Sequence, residues 1–93
     1  MNDKISKEKI EKYFNLTSQA LNEIKKNIAK GKEKEAKEII KMSENYLFDA
    51  RHFEKKGDFV NCFAALNYGH GWIDCGVRLG IFNVFDNRLF TIR

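Results

Sequence analysis

The sequence predicts an all-α protein, a three-helix antiparallel bundle running up-down-up, with a short irregular C-terminal tail. Three observations carry that expectation. The chain contains no Pro, the residue that most disrupts helix interiors. Apolar residues recur at three- and four-residue steps over most of its length, the spacing of one helix face. Two short Gly-bearing breaks, Gly31 and Gly57-Asp58, divide this pattern into three runs of similar length. Connections that short force neighbouring helices to be antiparallel.

The first helix is expected over about residues 7–30. Ser6 is placed to cap its N-terminus, and Ile10, Tyr13, Phe14, Thr17, Leu21, Ile24 and Ile28 share one face. Gly31 stands where a left-handed C-terminal cap is wanted. The second helix is expected over about residues 33–56, burying Ala36, Ile39, Ile40, Ser43, Tyr46, Leu47, Ala50 and Phe53. Lys and Glu alternate in KGKEKEAKE, which reads as a solvated helix face rather than a basic patch. Phe48 points away from the apolar side. Gly57 and Asp58 then supply a left-handed cap and an N-cap for the third helix, over about residues 59–82. The residues after it, NVFDNRLFTIR, fit neither helical nor strand period, and are expected to fold back over the bundle or dock on another copy. The whole chain, 1–93, makes one domain.

The third run is the one that stands apart. Asp58 to Phe82 holds the only Trp, both Cys, one of two His and four of six Gly. Its apolar arc, built on Cys62, Ala65, Leu66, Gly69, Ile73, Gly76, Val77 and Gly80 and flanked by Phe59, Phe63, Trp72 and Leu79, exceeds half the circumference, so this helix is expected to be the most buried. A helical Gly costs about 1 kcal/mol relative to Ala. For Gly69, Gly76 and Gly80 the expected offset is close approach of another helix. Gly71 lies instead on a narrow polar strip with Asn67, Asp74 and Arg78, with His70 at its border, and core packing does not account for it.

Composition bounds the function. The net charge is +4, with 11 Lys/Arg and 8 Asp/Glu in residues 1–45 and 6 and 5 in residues 46–93. Charge so evenly mixed argues against the one-signed stripe of a nucleic-acid binder. The N-terminus lacks the apolar segment of a signal peptide and no run reaches the ~20 apolar residues of a membrane span, so a cytoplasmic protein without a membrane contact is expected. Cys62 and Cys75 are thirteen positions apart on one helix, ~20 Å along its axis. They cannot pair and read as buried free thiols. No nucleophile–base pair, phosphate loop or cofactor motif is present, so no cofactor, resident metal or catalytic residue is assigned and the small-molecule partner, if any, is unspecified.

Two sets of residues are singled out. His70 and Asp74, four apart on one helix face, form a carboxylate–imidazole arrangement. Together with Asn67, Gly71, Arg78 and, from the second helix, Asp49, they make a candidate ligand or partner site, suited in principle to a metal or to acid–base chemistry. The plainer reading is a border histidine oriented by Asp74, which also pairs with Arg78. Tyr68, Trp72 and Leu79 lie where two neighbouring helices do not fully cover the third, and are the candidate oligomer contact.

With these residues assembled, the chain resembles the small archaeal proteins grouped as domain-of-unknown-function family 357. The resemblance covers about residues 8–84 and is strongest from Tyr46 to Phe82, YLFDARHFEKKGDFVNCFAALNYGHGWIDCGVRLGIF. It rests on Asp49, Ala50, Phe53, Gly57, Asp58, Ala64, Tyr68, His70, Gly71, Trp72, Asp74, Gly76, Arg78 and Gly80; at Gly69 and Cys75 the family pattern more often has Ala. The resemblance implies a helical bundle and points to the Gly-His-Gly-Trp-x-Asp turn, but implies no reaction. The leading expectation is therefore a cytoplasmic helical interaction module, with a homodimer or another protein as partner. A ligand, metal or catalytic site at His70 and Asp74 is the second reading, and accessory nucleic-acid binding the third.

Overall fold

A computed structural model describes residues 4–90. Three helices, α1 (Lys7–Lys26), α2 (Glu33–Lys55) and α3 (Phe59–Arg78), run up, down and up. α3 is the central element and packs against both others, most extensively against α2, while α1 and α2 share a much smaller surface. The fold is the expected all-α bundle.

The expected start signals are in place. The Ser6 hydroxyl accepts from the Lys9 amide at 3.1 Å, and the Asp58 carboxylate accepts from the Asn61 amide at 3.1 Å. α2 ends in a Schellman motif around Gly57, at φ +75°. The Asp58 amide donates to Phe53 O and the Gly57 amide to Glu54 O, at 2.9 and 3.0 Å. These contacts satisfy carbonyls that a helix end leaves open.

The first and third helices stop earlier than the periodicity suggests. α1 ends at Lys26 because Asn27 turns its side-chain amide back onto Glu23 O at 2.7 Å. Gly31, at φ +85°, belongs to the following turn and not to the helix cap. α3 ends at Arg78 in a second Schellman motif, with Ile81 N donating to Gly76 O and Gly80 N to Val77 O. Gly80, at φ +75° with nothing packed against it, is thus a terminator and not a helix–helix contact. The released segments, which emerge at the same end of the bundle, pair with each other. Ile28 and Phe82 form an isolated antiparallel bridge, with Ala29 N donating to Ile81 O at 2.9 Å and Asn83 N to Asn27 O at 2.7 Å.

The core has two apolar halves. One is built on Ile10, Phe14, Ala50, Cys62, Ala65 and Leu66. The other gathers Leu21, Ile24, Ile39, Ile73 and Phe82 with Val84, Leu89 and Phe90 of the tail. The tail therefore folds back and completes the core. Gly76 and Gly69 do allow close approach. A Cβ at Gly76 would stand 2.6 Å from the Phe82 ring and 2.8 Å from Ile39 Cδ1, and one at Gly69 would stand 3.2 Å from Tyr46 Cβ. Cys62 is buried but Cys75 is exposed, because Cys75 falls on the side of α3 that neither neighbour covers.

Candidate functional site

Two surfaces of α3 hold the singled-out residues, and they differ in kind. The first is its outer face. The exposed positions from 60 to 75 are Val60, Asn61, Ala64, Asn67, Tyr68, Gly71, Trp72 and Cys75, and none is charged. The exposed positions of α1 and α2 are by contrast mostly Lys and Glu. Ala64, Asn67, Tyr68, Gly71, Trp72 and Cys75 line a shallow groove of about 630 Å³. Tyr68 is 64% exposed, Trp72 38% and Leu79 67%. The Tyr68 ring stacks on Tyr46 of α2, with centroids 5.6 Å apart, so the aromatic edge of the groove is braced from beneath. Gly71 has no atom within 4 Å of where a Cβ would stand, and it forms the floor.

The second is a cleft of about 350 Å³ between α3, α1 and the tail, bordered by Asn67, His70, Gly71, Asp74, Tyr13 and Arg88. His70 faces α1, not α2. Its Nδ1 is 3.0 Å from Thr17 Oγ1 and its Nε2 is 2.6 Å from Leu89 O. A carbonyl can only accept, so Nε2 carries the proton and donates it to Leu89; Nδ1 pairs with the Thr17 hydroxyl, which can serve as donor or acceptor. The Asp74 carboxylate, at 3.8 Å from Nε2, is beyond hydrogen-bond range. The expected orientation of His70 by Asp74 is therefore replaced by orientation from Thr17 and the tail.

Four of the six residues of the expected polar site, Asn67, His70, Gly71 and Asp74, border this cleft. Asp49 and Arg78 are exposed and do not line it. Asp49 is on α2, and the ring it was expected to reach has turned to α1. Both nitrogens of His70 are hydrogen-bonded within the chain. Among the described residues, no three His, Cys, Asp or Glu side chains are grouped so that they could hold a metal ion. Thr17 is the site residue that periodicity alone conceals. It sits on the apolar face of α1 and is 1% exposed, and a hydroxyl at such a position needs a partner. That need was the one available signal.

Fold and surface define a small helical bundle with one uncharged outer face and a histidine spent on holding its tail. The chain belongs to the family described as a protein of unknown function (DUF357), whose model matches residues 12–82. No curated protein and no solved structure gave a significant match to the chain. No helix among the described residues is long and apolar enough to cross a membrane.

Proposed function

We propose that the protein is a helical interaction module that receives the apolar face of a protein partner's helix on the outer face of α3. The observation that carries this reading is that the exposed positions from Val60 to Cys75 hold no charge but do hold Val60, Tyr68 and Trp72, whereas the exposed positions of the other two helices are mostly Lys and Glu. A contiguous apolar patch rimmed by polar surface is the usual mark of a docking site. Aromatic anchors such as Tyr68 and Trp72 are the residue types that dominate binding energy. The exposed thiol of Cys75 supports a reducing, cytoplasmic setting.

The test is capture from the native host by tagged wild type and by a Trp72→Glu chain, with bound proteins identified by mass spectrometry. The module reading expects proteins that the wild type retains and Trp72→Glu loses. Identical sets from both chains, or none from either, would end it.

A further inference from the structure

We propose that the occupant of this face is a second copy of the chain, with the two α3 helices parallel about a two-fold axis that runs along them. The proposal rests on the docking reading above and adds the partner and its geometry. The face is uneven across its width. Tyr68, Trp72 and Leu79 form a raised edge on the α2 side, where Tyr68 leans on Tyr46. The opposite edge is low. It holds Gly71, open to 4 Å, with Ala64, and it borders the cleft toward α1 through Asn67 and Gly71. At 100° per residue, Cys75 falls between the two edges.

The unevenness selects the symmetry. A two-fold axis perpendicular to the helices sets raised edge against raised edge and low against low, leaving a void above Gly71 whose lining forgoes its packing contacts. An axis along the helices reverses the edges. Each Trp72 then descends over the partner's Gly71 at nearly matched height, and each Tyr68 enters between the heights of the partner's Ala64 and Gly71. Ridge enters groove twice, in an isologous, closed pair.

Charge and area agree with a weak pair of this kind. Each copy carries +4, yet the exposed positions from Val60 to Cys75 hold no charge, and like charges elsewhere, among them the exposed Arg78 just beyond, are screened beyond ~8 Å at physiological salt. From Val60 to Cys75 the strip is about 22 Å long and ~10 Å wide. That is well below the ~800 Å² per partner of a standard interface, so a reversible dimer is expected rather than a permanent one.

In this arrangement Cys75 faces the partner's Cys75, and Ala64, only about 20° round the helix from Cys75, comes close to the partner's Ala64. A parallel pair brings every residue of the seam opposite its own copy. An antiparallel pair does so at one height only, and positions 64 and 75 are ~16 Å apart. The experiment combines sedimentation of the full chain under reducing conditions, from ~10 µM to ~1 mM, with disulfide trapping by oxidised glutathione. Trapping compares the wild type, an Ala64→Cys/Cys75→Ser chain, and a Lys37→Cys/Cys75→Ser chain whose thiol on exposed α2 sets the collisional background.

The expected result is a monomer–dimer equilibrium, with both seam thiols trapped at least tenfold faster than the background. Trp72→Glu and Gly71→Leu, each checked for helicity by circular dichroism, should be monomeric and fall to the background rate. A wild type that stays monomeric to ~1 mM overturns the second copy. If capture that depends on Trp72 persists in that case, the docking reading stands and only this proposal falls. Trapping at one seam position but not the other overturns the parallel axis, and a dimer indifferent to both substitutions overturns the face.

Discussion

His70 donates from Nε2 to the carbonyl of Leu89 at 2.6 Å while Thr17 holds Nδ1 at 3.0 Å, so one side chain ties α3 to α1 and to the tail. The turn that presents Leu89 is set by Asp86, whose carboxylate accepts from the Arg88 amide at 2.9 Å and whose carbonyl accepts from the Leu89 amide at 3.1 Å. Removing the imidazole strands a hydroxyl and a carbonyl at once. His70→Ala is expected to destabilise the chain by about 1–3 kcal/mol, and Thr17→Val by about 1 kcal/mol. The measurement is chemical denaturation combined with amide exchange. Leu89 and Phe90 amides should lose protection in His70→Ala before the helices do, and unchanged exchange there would refute the clamp.

The glycines of α3 and of the turn that ends it are expected to answer in opposite directions. Gly76→Ala drives a methyl toward Phe82, a ring tethered through its bridge to Ile28, and overpacking of this kind costs ~1–3 kcal/mol. Gly71→Ala meets nothing and should stabilise the helix by about 0.5–1 kcal/mol. Gly80→Ala places a Cβ at φ +75°, a loss of about 1–2 kcal/mol. Thermal midpoints should move by roughly 4–8 °C per kcal/mol in a chain of this size. A destabilised Gly71→Ala would show that its surroundings are not open.

The two thiols should separate on alkylation. Burial pushes the Cys62 thiol above its ordinary range, with the Glu54 carboxylate adding to the shift, whereas Cys75 is exposed. The thiolate is the reactive form, so iodoacetamide at neutral pH should label Cys75 and spare Cys62 until the chain unfolds. Because the folded value of Cys62 is raised, its contribution to stability is complete below the unfolded thiol value of ~8.5 and is lost as pH rises through the folded value. Mass spectrometry of labelled peptides across pH 7–10 reads both effects, and early labelling of Cys62 would contradict its burial.

The N-cap of α3 carries an acid-side dependence. Hydrogen bonds from the Asn61 side chain and amide hold the Asp58 carboxyl below its ordinary value. A depressed folded value contributes stability above the unfolded value, near 3.9, and the contribution is lost as pH falls through the folded one. Asp58→Ala should therefore melt below wild type at pH 7, with the gap closing toward pH 2. Asp58→Asn, also a competent cap, should keep most of the neutral-pH stability. A gap that is constant with pH would mean that the charge of Asp58 plays no part.

Local chemistry was enough to specify much of this protein. Three helices, the Ser6 and Asp58 caps, the Gly57 turn and the apolar faces follow from propensity, capping and periodicity, all of which act within a few residues. The family followed from motif spacing between Tyr46 and Phe82. Periodicity continues through Ile28 and Gly80, however, so it could not say where α1 and α3 stop. That was decided where the ends of two helices meet, in the bridge between Ile28 and Phe82. The polar strip shows the same limit. Spacing made His70 and Asp74 neighbours on one helix, but which way the ring turned depended on a hydroxyl 53 residues away and on a carbonyl in a tail with no readable period. Only tertiary packing brings such groups together, because the imidazole settles against whichever partners satisfy both nitrogens. The same packing separates the buried side of α3 from its outer one, and so turns a helix apolar nearly all round into a core element with an uncovered face.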